Sequence, residues 1–209
     1  MHRKLIPATL AAALALAACD GSSTGPAKAN DSLTAAEVQA LAPAFDNVTL
    51  SAFGGTGASL NRTPRSGAAW ATTVATSVNT TVTCPRGGSV NVAGQANTSF
   101  DLAARSATVD ATATRTEAAC AYATKDASVI TVSGAPNTTL HLTASVANGV
   151  PGKTTVTQKG AFTWARSTGG SGTCALDLTS SFDPATQTAT LVGTFCAVSI
   201  NVTHTVTTT

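Results

Sequence analysis

Charge, aromatic rings and histidine are all scarce in this chain, and each scarcity removes a class of function. Only 11% of the 209 residues are charged, with 12 Lys+Arg against 10 Asp+Glu. No basic run or stripe concentrates the positive charge, so a nucleic-acid or polybasic membrane-binding surface lacks its electrostatic footprint. Rings are limited to two tryptophans, one tyrosine and six phenylalanines. Trp70, Tyr122 and Trp164 are therefore needed as core volume before they can serve as stacking platforms for sugars. Apart from His2, the histidines are His141 and His204. A catalytic base must reach a nucleophile and be oriented by a third group, and the sequence singles out no such set. No HExxH, CxxC or carboxylate cluster has metal-ligand spacing. Catalytic residues, metals and cofactors are accordingly all left unassigned. Long apolar runs are missing too, since a spanning helix needs about 20 residues and no segment supplies them.

A shorter apolar run is present, at the start. His2, Arg3 and Lys4 precede Leu5 to Ala18, an almost unbroken apolar stretch ending in small residues. A basic flank, a short apolar core and a small-residue end form a secretory signal pattern. Its last residues, Leu16-Ala17-Ala18-Cys19, resemble the lipobox of bacterial lipoproteins. The resemblance implies cleavage before Cys19, a diacylglyceryl group on its sulfur and, usually, an acylated amino group. It also implies a protein of the bacterial cell envelope whose partner is the bilayer reached through acylated Cys19. In enteric bacteria an Asp directly after that cysteine, here Asp20, favours the inner membrane; other lineages do not follow the rule, so both membranes stay open. "DGSSTGPAKAN" is small, polar and without apolar periodicity, which suits a flexible tether. Residues 1–18 are thus read as signal peptide, 19–31 as lipidated cysteine and tether, and 32–209 as one domain. Arg3 and Lys4 are two of the twelve basic residues, so ten remain against ten acidic ones.

The domain reads as all-β, an antiparallel sheet, sandwich or open barrel, with one short N-terminal helix. "LTAAEVQALAPAF" is the helix: Thr34 and Glu37 have capping-box spacing, Leu33 and Val38 staple spacing, and Val38, Leu41, Ala42 and Phe45 share a face. "FGGTGASLNRTPRSG", Phe53 to Gly67, is rich in turn formers and reads as a long mobile loop. From Ala71 onward Thr, Val, Ala and Ser alternate in strand fashion. Val78/Thr80/Val82/Cys84, Ala107/Val109/Ala111/Ala113 and Leu140/Leu142/Ala144/Val146 each define one face. Val156/Gly160/Phe162/Trp164 and Cys174/Leu176/Leu178/Phe182 do the same. Two motif matches carry no chemistry. "GSSTG", Gly21 to Gly25, fits a nucleophile elbow but lies in the tether. "ANGVPGKTT" fits the end of a P-loop, yet lacks the first glycine and a following helix, and reads as a hairpin turn.

Four cysteines remain after Cys19: Cys84, Cys120, Cys174 and Cys196. An even count in an exported chain predicts two disulfides, and three pairings are possible. "SFDLAARSATV", Ser99 to Val109, matches "SFDPATQTATL", Ser181 to Leu191, at six positions. A turn centred near Ala185 opposes residues summing to about 370, which includes Cys174 and Cys196. The equivalent centre at Ala103 gives about 206, close to Cys84 plus Cys120. Cys84–Cys120 and Cys174–Cys196 are the predicted bridges. Function is expected to be non-enzymatic, the binding of a partner protein or an apolar ligand near a membrane. An envelope-polymer hydrolase and a structural or assembly subunit are the alternatives. A cleft joining His141 or His204 to Asp101, Asp110 or Asp177 would favour the hydrolase.

Overall fold

The computed structural model describes residues 31–60, 71–101, 103–124, 128–134 and 137–206. Eleven strands follow one helix in chain order. Helix α1 spans Ala35–Leu60; the strands are β1 (Ala71–Thr83), β2 (Ser89–Asp101), β3 (Ser106–Ala118), β4 (Cys120–Ala123), β5 (Val129–Ser133), β6 (Thr138–Ala147), β7 (Val150–Pro151), β8 (Thr154–Arg166), β9 (Ser171–Asp183), β10 (Thr188–Phe195) and β11 (Val198–Thr205). All belong to one antiparallel sheet, whose main path runs β1-β2-β3-β6-β8-β9-β10-β11. β8 pairs with β6 over Thr155–Lys159 and with β5 over Thr163–Arg166, which places the short β4–β5 ribbon above β6.

The strand alternation read from the sequence sets the two faces of this sheet. Val78, Val92, Ala111, Leu140, Val156, Leu178 and Leu191 are buried on the inner face. Their neighbours in sequence, mostly Thr, Ser and Asn, point outward to solvent. α1 packs on the inner face and touches both outermost strands, β1 and β11, as well as β2, β4 and β10. The sheet therefore curls around the helix as an open barrel filled by α1, not as a two-sheet sandwich. Phe45 is the hub of the contact, with Phe162 and Phe195 each 5.4 Å away between ring centroids and Tyr122 at 6.4 Å. Tyr122 and Trp164 are both core residues, 1% and 3% exposed; Trp70 lies outside the described residues.

The helix starts as its cap predicts. Thr34 Oγ1 accepts from the Glu37 amide at 3.2 Å, and the Glu37 carboxylate accepts from the Thr34 amide at 2.8 Å. Its end differs from expectation. α1 is 26 residues long and continues through Phe53 to Leu60, so the first half of the expected loop is helix; residues 61–67 lie outside the described set. A mid-helix glycine costs about 1 kcal/mol relative to alanine. Up to Phe53 the helix is enclosed, with Val48, Leu50, Ala52 and Phe53 all buried, and a buried backbone needs its helical hydrogen bonds; Gly54 itself is exposed.

Both disulfides form as expected, Cys84–Cys120 with Cα atoms 5.4 Å apart and Cys174–Cys196 with Cα atoms 4.6 Å apart. The hairpin reasoning behind them needs correction. β9 and β10 pair with Asp183 opposite Thr188 and Leu176 opposite Phe195, so opposed residues sum to 371, one more than expected. Cys196 lies just past β10, in the two-residue turn it forms with Ala197, both at positive φ. That turn brings its amide to the Ala175 carbonyl at 2.9 Å and its side chain to Cys174. Cys84 is not on the β2–β3 hairpin at all. It sits at the end of β1 and reaches Cys120 at the start of β4. The two matching SFD segments do build equivalent turns: Asp101 faces Ser106 and Asp183 faces Thr188 across four-residue loops. Each loop closes on a residue at positive φ, Arg105 and Gln187. Asn148 and Gly149, also at positive φ, make the tight β6–β7 turn within "ANGVPGKTT".

Candidate functional site

Three polar clusters interrupt the Thr/Ala/Val background, and each has a different setting. The first is where the described domain begins. Arg166, at the end of β8, donates from Nε and Nη2 to the two carboxylate oxygens of Glu37 at 2.6 and 2.9 Å, and from Nη1 to Asp31 at 3.1 Å. The forked geometry suits a guanidinium facing a carboxylate. The Arg166 hydrogen bonds hold the Glu37 carboxyl down at about 2, against the smaller opposing effect of burial. The β8–β9 turn is glycine-bearing for the same reason. Gly170 has φ +93, and a Cβ there would lie 2.2 Å from the Asp31 carboxylate. Asp31, the last residue of the expected tether, is thereby fastened to the β8–β9 turn. By the strand directions, both disulfides lie at this same end of the barrel.

The second cluster runs through the interior. Arg115 is fully buried and donates from Nη1 to the Phe45 carbonyl at 2.9 Å and to Thr49 Oγ1, and from Nη2 to the Tyr122 hydroxyl at 3.0 Å. Its Nε forms an ion pair with Glu117 at 2.8 Å, and its Cζ lies 3.3 Å over the Phe45 ring. Thr49 continues the chain to Gln158 at 2.9 Å, Gln158 donates to Asp46 at 2.6 Å, and Ser180 donates to Asp46 at 2.8 Å. His204 Nε2 is 3.4 Å from the same Asp46 oxygen. Burial pushes the Asp46 carboxyl up to about 6, against its hydrogen bonds and the Arg115 charge. Burial pushes His204 down. Ser180, His204 and Asp46 are the residue types of a hydrolytic triad in the wrong order. The acid stands between serine and histidine, so the imidazole is not placed to take the serine proton.

The third cluster is outside. His141 and Asp110, on the outer faces of β6 and β3, meet at 2.9 Å with side chains 47% and 59% exposed. The pair borders a shallow depression of about 440 Å³ lined by residues including Gly94, Gln95, Thr112, His141 and Lys159. No hydroxyl is hydrogen-bonded to the His141 ring among the described residues, so the pair lacks a positioned nucleophile. Lys159 and Asp177 form a separate, solvated pair at 3.1 Å.

Of the residues raised by the sequence, the four cysteines pair, His141 meets Asp110, and His204 turns inward; Asp101 serves its own turn, accepting from the Ala104 amide at 2.9 Å. Cys19 lies outside the described residues. The interior cluster was missed, although it left a trace. Arg115 and Glu117 continue the inward phase of Ala111 and Ala113, Gln158 stands in phase between Val156 and Phe162, and Ser180 between Leu178 and Phe182. No protein family, curated protein or solved structure matches the chain.

Proposed function

We propose that this chain is a bacterial envelope lipoprotein, anchored through acylated Cys19, whose β-domain acts by binding a protein partner without catalysis. The observation that carries the reading is the Leu16-Ala17-Ala18-Cys19 end of a short apolar run, followed at once by a small polar spacer. Acyl chains contribute about 0.8 kcal/mol per buried methylene, and two or more hold a protein durably on a bilayer. Two further features support it. Paired cysteines suit an exported, oxidising compartment. Asp31, the last residue of the tether in this reading, bonds to Arg166 at the stapled end of the domain.

A protein partner is favoured over an apolar ligand because α1, with Leu41, Phe45 and Val48, occupies the barrel interior where such a ligand would sit. The non-enzymatic reading draws on the Asp46-centred order of the interior cluster. The His141–Asp110 pair beside the outer depression is the juxtaposition expected of a hydrolase, and against it stands only that no hydroxyl bonds to the His141 ring among the described residues. Replacing Cys19 by Ser tests the anchor. The variant is expected to leave the membrane fraction for the soluble fraction, and unchanged membrane association would refute the proposal.

A further inference from the structure

The two edges of the open sheet are treated differently. At β11, the Gln39 side chain of α1 donates to the edge carbonyl of Ser199 at 3.3 Å, so the helix covers part of that edge. At β1, which α1 also packs against, the difference lies in the strand itself, 13 residues long against the 8 of β11. The Cys84 amide bonds to the Gly88 carbonyl across the β1–β2 turn, and the register runs unbroken from there to Ala71. Even-numbered residues of β1 therefore bond to β2, and the odd-numbered ones from Thr73 to Thr83 direct N–H and C=O away from the sheet. Thr73 to Ser77 are exposed on both faces, including Val74 at 44%.

An exposed edge is a template for another strand, and proteins usually blunt it with a charge, a proline, a bulge or a short length. β1 has none of these. "ATTVATSVNTTVT" is 13 residues long, without a charged residue, proline or glycine. We propose that β1 is a self-association edge: two copies pair their β1 strands antiparallel about a two-fold axis and join their sheets. The strand is its own complement. With the axis through Ser77, Thr73 faces the second copy's Thr81 and Ala75 faces the second copy's Asn79, so no charge meets a like charge. Each opposed odd pair exchanges two backbone hydrogen bonds. A contact limited to two strands falls in the small, weakly associating class of interfaces, below roughly 1,200 Å². The inference rests on the protein-binding part of the proposed function, with a second copy as the partner, and not on the anchor.

The test compares the full chain with Ser77→Lys, on the β1 edge, and Asn201→Lys, in the same outward row on the β11 edge. Sedimentation equilibrium in density-matched detergent, at protein concentrations near roughly 100 μM to suit a weak contact, reads the mass. Circular dichroism checks that each variant keeps its strands. The wild type and Asn201→Lys are expected to dimerise, and Ser77→Lys to associate at least tenfold more weakly. Hydrogen exchange at the odd β1 amides should slow as the wild type is concentrated. A monomeric wild type, a dimer insensitive to Ser77→Lys, or a dimer lost in Asn201→Lys overturns the inference. A monomeric chain that captures a different protein would do so too, while leaving the proposed function standing.

Discussion

The end of the barrel that receives Asp31 and the opposite end are built on different principles. At the Asp31 end lie both disulfides, the Arg166–Glu37–Asp31 ion pairs and the ring cluster of Phe45, Phe162 and Phe195. Toward the far end the inner face pairs Phe100 with the small Ala107 and Phe182 with Ala189, and the turns are the two SFD loops without a cross-link among the described residues. The interior polar chain joins the halves, from Glu117 and Arg115 on one side to Asp46, Ser180 and His204 on the other. Cross-links and ion pairs are thus concentrated at the Asp31 end, and the far half depends on the strand ladder and on buried polar contacts.

The largest way to break this contrast is at its middle. Arg115→Ala leaves Glu117 buried without its partner, and such a loss costs about 3–5 kcal/mol. Urea unfolding should register it, and a double replacement, Arg115→Met with Glu117→Leu, should cost far less because no charge stays stranded. A cost for Arg115→Ala below about 1 kcal/mol, the range of a surface pair, would deny the network its bridging role.

Removing one staple is next. Replacing Cys174 and Cys196 by Ser opens a loop of sequence separation 22, which corresponds to about 3 kcal/mol of chain entropy. Hydrogen exchange should then rise around Arg166 and Ser199 and remain unchanged at the Asp183 turn. Equal loosening at both ends would erase the distinction.

A smaller effect separates the halves by pH. Glu37 has its carboxyl lowered to about 2, so its stabilisation is complete above pH 4.5 and is lost as pH falls toward 2. Asp46 has the opposite sign. Its folded-state value is raised to about 6, so the fold binds a proton more tightly than the unfolded chain, and stability declines as pH rises from 3.8 through 6. Asp46→Asn should remove that decline, of order 1–3 kcal/mol. Denaturant unfolding of wild type and variant at pH 4 and 7 measures it, and parallel pH profiles would contradict the assignment.

The sheet was legible because Thr and Val alternate with solvent-facing partners over long strands, as in Ala107 to Ala113 and Leu140 to Val146. The capping box at Thr34 and Glu37 was legible because it is local. What escaped depends on contacts far apart in sequence. The helix beyond Phe53 runs against the turn-forming tendency of its glycines. The paired residues Arg115 with Phe45 and Gln158 with Asp46 lie 70 and 112 positions apart. Only their polar character at inward-facing positions could have flagged them. The Cys174–Cys196 pairing came out right with the hairpin centre misplaced by one, because Cys196 is a turn residue and reaches back to Cys174. Cys84–Cys120, by contrast, joins the end of β1 to β4 and owes nothing to the hairpin symmetry that predicted it.

The anchor at the stapled end is the central claim, and intact mass spectrometry of the wild-type protein extracted from membranes tests it most directly. The account predicts a polypeptide beginning at Cys19, with a diacylglyceryl group on its sulfur and, usually, a further acyl group. A chain that retains residues 1–18, or one that begins elsewhere without added lipid mass, would contradict it.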